Sequence, residues 1–143
     1  MNTEKGYTLV ELSLVIAIFG AITLILIPSF ASMANSKEVE SFFEQLQDDL
    51  YYAQATALSR GKPILLDFRT SSSLYQIRVD NQTILQRSYP THFKVEKGSM
   101  ETTIRFNANG NIRNPGTMFV NTQKGKYKLT FQLGKGRFHV SKL

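Results

Sequence analysis

The sequence predicts an α+β protein, in which a long N-terminal helix, apolar in its first half and amphipathic in its second, packs on an antiparallel β-sheet head. Three observations carry this expectation. The twenty-five residues between Glu11 and Lys37 hold no charge, apolar residues then recur every three or four positions as far as Leu58, and from Lys62 the chain breaks into short β-rich runs. Of 143 residues in all, those left after the uncharged stretch suffice for one compact domain of ordinary size.

The uncharged stretch opens with LSLVIAIFGAITLILIP, directly after KGYTLVE. A helix rises about 1.5 Å per residue and crosses a bilayer core in roughly twenty residues, so the length fits a membrane span. Gly20 and Pro28 would weaken a soluble helix, but membrane helices tolerate both, and Pro28 predicts a kink. The competing reading is a discarded secretory signal peptide, with Lys5 as its charge and Ser32 with Ala34, or Ser29 with Ala31, at the cut. Two features oppose it. The apolar core exceeds the usual length of about 7 to 15 residues, and a signal peptide gives no reason for Glu11. A carboxylate costs about 2.5 to 3.5 kcal/mol at a bilayer centre, and less near its interface, where snorkelling to water is the plain alternative to pairing.

Beyond Lys37 the helix is expected to continue. Val39, Phe42, Phe43, Leu46, Leu50, Ala53, Ala57 and Leu58 mark one apolar face, with charges on the other side, and Gly61 and Pro63 end the pattern. An amphipathic helix over 37–60 and a β-rich region over 62–143 therefore make up a soluble head, 37–143.

Strands are expected in PILLDFR, SLYQIRV, TILQRSY, FKVEK, TTIRFN, TMFVN, YKLTFQL and RFHVS. Alternation is clearest where Tyr75, Ile77 and Val79 oppose Leu74, Gln76 and Arg78, and where Tyr127, Leu129 and Phe131 oppose Lys128, Thr130 and Gln132. Turns fall at Asp80-Asn81, Asn109-Gly110-Asn111, Asn114-Pro115-Gly116, Lys124-Gly125 and Gly134-Lys135-Gly136. About seven strands are expected, in one sheet or two packed sheets.

Nothing points to catalysis. There is no cysteine, and His92 and His139, the two histidines, form no metal-ligand spacing, so no disulfide, metal or cofactor is expected. Gly134-Lys135-Gly136 is too short for a phosphate loop. The aromatics of the β-rich runs are expected to fill a core. Charge is the stronger signal. Lys37–Ser59 holds five acids against one base, whereas from Arg60 onward fifteen Lys or Arg face four Asp or Glu. Such a basic surface attracts phosphates, anionic headgroups or an acidic protein.

KGYTLVE resembles the processing signal of type IV pilins and pseudopilins: a short leader ending in Gly, an aromatic residue, then Thr-Leu-Val-Glu heading an apolar helix. The resemblance implies that residues 1–6 are a leader, that a prepilin peptidase cuts between Gly6 and Tyr7, and that Tyr7 becomes N-methylated. The family more often has Phe where this chain has Tyr7. Residues 7–36 would then form the transmembrane and assembly helix, in a pilin-like fold. Glu11 would pair with the amine of Tyr7 on a neighbouring subunit, a pairing that makes an undocked subunit costly. Pro28 stands where major pilins also carry a proline.

FNANGNIRNPGTMFV and YKLTFQLGKGRFHVSKL are similar to the ends of minor pilins of the H-type or FimT-like group. With QATALSRGKPILLDF, they make the whole chain resemble a minor pseudopilin of the Gram-positive competence pilus. That implies a structural subunit, not an enzyme, that helps start or tip a pilus for DNA uptake in transformation. Its partners would be the other competence pseudopilins, major and minor. It would be anchored by a single pass, with the head outside the cytoplasm, and lie at the cell surface once assembled. Two alternatives stay open: the pseudopilin of a type II secretion system, and a pilus-tip module binding DNA weakly and without sequence preference through Lys135, Arg137 and Lys142.

Overall fold

The structure, a computed structural model, describes residues 8–132 and 137–143, and within these the side chains of 24–34 are not described. The leader, the cleavage pair Gly6 and Tyr7, the Gly134-Lys135-Gly136 turn and the side chain of Pro28 therefore lie outside the described residues. The elements are α1 (Leu9–Arg60), β1 (Ile64–Arg69), β2 (Leu74–Val79), β3 (Gln82–Ser88), β4 (Lys94–Lys97), β5 (Thr103–Phe106), β6 (Gly116–Thr122), β7 (Gly125–Phe131) and β8 (Phe138–Lys142). All eight β-rich runs become strands. Two units divide the chain, one up to Lys37 and one from Glu38 to Leu143.

In the first unit, α1 begins with a cap. Thr8 Oγ1 accepts a 3.3 Å hydrogen bond from the Glu11 backbone N–H, and the Thr8 carbonyl accepts one from Leu12 N–H at 3.2 Å. Two groups that a helix end leaves unpaired are thereby satisfied, and Glu11 brings a negative charge to the positive end of the helix dipole. Further along, Ser13 Oγ donates to the Val10 carbonyl and Thr23 Oγ1 to the Phe19 carbonyl, so each hydroxyl is satisfied on its own helix. Leu9, Val10, Leu12, Leu14, Val15, Ile16, Ile18, Phe19 and Ile22 are all exposed.

The second unit is built on two antiparallel four-stranded sheets, in the orders β3-β2-β1-β5 and β4-β6-β7-β8. The strand alternation does what its period dictates: Tyr75, Ile77 and Val79 turn inward from β2, beside Ile64, Leu66 and Phe68 of β1. Register puts Leu66 between Ile77 and Ile104, and Ile64 between Val79 and Phe106, so each inward row is apolar across three strands. The other sheet contributes Val95, Met118, Val120, Leu129 and Phe131.

Residues 38–60 of α1 pack against both sheets. Val39, Phe42, Leu46, Leu50, Ala53 and Ala57 are buried, and full burial of a large aliphatic side chain contributes about 1.5 to 3 kcal/mol. Phe43 meets Tyr127 of β7 at 4.9 Å between ring centroids, and Phe42 meets Phe93 edge-on at 5.3 Å. One expected face residue departs. Leu58 is 56% exposed, because it stands about 100° round the helix from buried Ala57, where the turn at Gly110 comes near it.

The Asp80-Asn81 turn between β2 and β3 has φ of 47° and 67°, the left-handed pair that a two-residue hairpin turn demands. The Asn109-Gly110-Asn111 turn is closed by the Gly110 N–H on the Asn107 carbonyl at 2.8 Å and the Asn107 N–H on the Asn111 carbonyl at 2.9 Å. It is tied to α1 by Gln54 Nε2, which donates to the Gly110 carbonyl at 2.9 Å.

Candidate functional site

Glu11 sits in the first turn of α1, exposed, and among the described residues no cation pairs with it. Thr8-Leu9-Val10-Glu11 has the Thr-x-x-Glu spacing of a capping box, a local signal the sequence reading passed over. The bond to Thr8 Oγ1 is made by the Glu11 backbone N–H, and the Glu11 charge lies in the first turn, at the positive end of the helix dipole. Among the described residues no helix is long and apolar enough to cross a membrane, and the span expected over 7–36 draws on side chains that are not described.

In the head, the sequence expectation of charges on the outer helix face includes Asp49. The structure corrects this: Asp49 is 3% exposed. Its Oδ2 accepts a 2.6 Å hydrogen bond from Tyr75 Oη of β2 and a 3.3 Å charged one from Arg87 Nε of β3. A buried carboxylate is tolerable only when so paired. Burial raises the Tyr75 hydroxyl well above its usual pKa, and the hydrogen bond to Asp49 and its charge add to the rise, so the proton stays on the phenol. The arrangement pins the helix to the sheet at a fixed register and offers no proton for transfer near neutral pH.

The basic residues divide into paired and unpaired sets. Lys62 pairs with Asp80, Arg69 with Asp67 at 3.0 Å, and Lys126 with Glu96 at 3.2 Å while lying 4.5 Å over the Phe119 ring. Of the residues expected to meet DNA, Lys135 lies outside the described residues. Arg137 is exposed just before β8, its carbonyl accepting from the Gln132 N–H at 3.0 Å. Lys142 is exposed at the far end of β8, opposite Tyr127. Five residues of strand separate them by roughly 16 Å, so Arg137 and Lys142 do not form one cluster. Among the described residues no group of three His, Cys, Asp or Glu is placed to hold a metal ion.

A family model described as "Type II transport protein GspH" matches residues 43–135, well over half of the chain. The chain belongs to the GspH family. A second model, the prokaryotic N-terminal methylation motif, matches residues 1–27 of this GspH-family chain. Along its whole length the chain is similar to the competence protein ComGD of Bacillus subtilis (strain 168): 28% identical over 144 aligned positions, covering 99% of this chain and 96% of ComGD. A fimbrial protein of Pseudomonas aeruginosa is also 28% identical, over 66% of this chain and 61% of its own length.

Among solved structures, the type IV minor pilin FimU of Pseudomonas aeruginosa superposes with a TM-score of 0.58 at 19% identity, over 71% of this chain and 91% of FimU. The minor pseudopilin EpsH of the Vibrio cholerae type 2 secretion system gives 0.50 at 11% identity, over 76% and 96%. At such identities these likenesses speak for the fold, which is that of type IV minor pilins, with two sheets. Family, motif and fold together make this GspH-family chain a minor pilin or pseudopilin of a type IV pilus or a secretion system. The names these relatives carry are those of a competence protein, a fimbrial protein and a minor pilin.

Proposed function

We propose that the chain is a minor pseudopilin of a type IV competence pilus, a structural subunit that helps start or tip the pilus used for DNA uptake. The observation that carries this reading is the end-to-end similarity to ComGD, reaching 99% of this chain, combined with the methylation motif at its N-terminus. A prepilin peptidase cuts between Gly6 and Tyr7, and Tyr7 is then N-methylated. The apolar helix anchors the subunit in the cell membrane with its head outside the cytoplasm. Glu11, exposed and without a cation on its own chain among the described residues, pairs in the fibre with the Tyr7 amine of a sister pseudopilin, and Pro28 serves the same helix packing. The long row of exposed apolar residues from Leu9 to Ile22 supports this, since such a surface in water would aggregate and in a fibre or bilayer would not.

The test is the mass of the N-terminal peptide of protein taken from its native membrane, with transformation measured in a strain lacking the subunit. A chain beginning at methylated Tyr7, and loss of transformation with secretion intact, are the expected results. A chain beginning near Asn35 would sink the reading. The GspH match favours one rival, the pseudopilin of a type II secretion machine. Loss of secretion with normal transformation would select it.

A further inference from the structure

A cleft of about 460 Å³ opens on the head, lined by Leu65, Arg78, Asp80, Asn81, Arg105 and Arg113 among others. Its construction follows from register. Leu65 of β1 is paired with Arg78 of β2 on one side and Arg105 of β5 on the other. The three are directly opposite in the ladder, so they share the face that the buried rows leave to solvent. Two strand spacings place the Arg78 and Arg105 backbones roughly 10 Å apart. Arg113 is brought in by the loop after β5, its N–H donating to the Arg105 carbonyl at 2.8 Å. Arg78 Nη2 leans on Asn81, donating to its Oδ1 at 3.4 Å.

Three arginines thus line one cleft where only one carboxylate, Asp80, stands in the walls, and Asp80 is taken by Lys62. Among the described residues no carboxylate pairs with Arg78, Arg105 or Arg113. Arg69, Arg87 and Lys126 each have an acid, whereas here three arginines line one cleft without one. Like charges gathered without a counter-ion repel one another, and an entering anion relieves that repulsion.

Guanidinium forks match phosphate oxygens two bonds at a time, and three of them spread over a cleft suit several phosphates better than one. Protein partners instead anchor on large apolar side chains, and here Ile64 and Phe106 are spent in the core at 1% and 2% exposure. We propose that this cleft binds the phosphodiester backbone of a polynucleotide through Arg78, Arg105 and Arg113, without reading sequence. The site is distinct from Arg137 and Lys142, which belong to the β8 side of the other sheet. It does not depend on which machine the subunit joins.

The experiment is fluorescence anisotropy of the full chain in neutral detergent micelles with a labelled duplex of arbitrary sequence, between about 50 and 200 mM salt. Arg105→Glu with Arg113→Glu is expected to weaken binding at least ~10-fold and to make the log–log salt dependence shallower by about 2, one unit per lost phosphate contact. Arg137→Glu with Lys142→Glu is expected to leave affinity within about two-fold. Arg105→Gln, which adds no charge, guards against misfolding of the double variant and is expected to lower the slope by about 1. Unchanged affinity and slope in the cleft variants would overturn the proposal. So would absence of duplex binding by the parent chain at the lowest salt, or a loss confined to phosphatidylglycerol vesicles, which would assign the cleft to lipid headgroups.

Discussion

The Tyr75 hydroxyl donates a 2.6 Å hydrogen bond to Asp49 Oδ2, linking α1 to β2 inside the head. It is a charged bond made where water is excluded, and Arg87, 45% exposed, completes it from β3 at 3.3 Å. Hydrogen bonds to charged groups contribute about 1.5 to 3 kcal/mol, and a buried partner left alone forfeits that contribution. The Arg87 arm counts for less because solvent screens it.

Asp49→Ala is therefore expected to destabilise the fold by about 2 to 3 kcal/mol, leaving Tyr75 Oη buried without an acceptor. Asp49→Asn, which keeps an acceptor of the same shape, should lose clearly less. Urea unfolding of the two variants against the parent checks this, and equal losses would mean that the charge, not the bond to Tyr75, carries the effect.

Alkaline pH is expected to act through the same pair. The folded Tyr75 pKa is raised, first by burial and then by Asp49, above an unfolded value of 10.0. The folded state holds the proton that the unfolded state has given up, so this contribution is complete below pH 10 and declines as pH rises beyond it. Tyr89, raised by burial, adds in the same direction. The slope is at most about 1.4 kcal/mol per pH unit for each tyrosine. Tyr75→Phe should flatten the fall in unfolding free energy between about pH 9.5 and 11, and an unaltered slope would remove Tyr75 from the account.

Gly110 has φ of 73°, and a Cβ there would stand 2.9 Å from Leu58 Cγ. Gly110→Ala combines a left-handed backbone penalty with a contact that must shift, so a loss of about 1 to 3 kcal/mol is expected. Gly110→Ala together with Leu58→Ala relieves only the contact. If the pair is more stable than Gly110→Ala alone, the clash is real, and thermal melts of the single and double variants decide it.

Glu11 has two candidate roles that separate by substitution. Glu11→Gln preserves the Thr-x-x-Glu/Gln capping pattern but removes the charge, whereas Glu11→Ala removes both. If the charge serves assembly, both variants fail to enter the fibre while their heads fold normally. Recovery of Glu11→Gln in fibres at the parent level would confine Glu11 to helix capping.

The helix face and the strands were legible in the sequence because their periods, 3.6 and 2, are local properties of the chain. Val39, Phe42, Leu46, Leu50, Ala53 and Ala57 lie where that period puts them, as do Tyr75, Ile77 and Val79. Asp49 could have been read better: it lies three residues after Leu46 and four before Ala53, on the apolar stripe itself, and an acid there calls for a buried partner. Its partners, Tyr75 and Arg87, could not be read, since they lie 26 and 38 residues away.

What the sequence determined by itself was everything set by neighbours in the chain: the apolar helix, its amphipathic continuation, the strand runs, the turns and the N-terminal motif. Only the tertiary structure decided that the strands divide into two sheets, that Asp49 is buried, and that Arg78, Arg105 and Arg113 line one cleft with Leu65. Alternation specifies which side chains share a face of one strand and says nothing of which strand lies beside it. Register is settled by how the apolar rows fit one another across strands, so the cleft, like the Asp49 pairing, exists only once β1 has taken β2 and β5 as its neighbours.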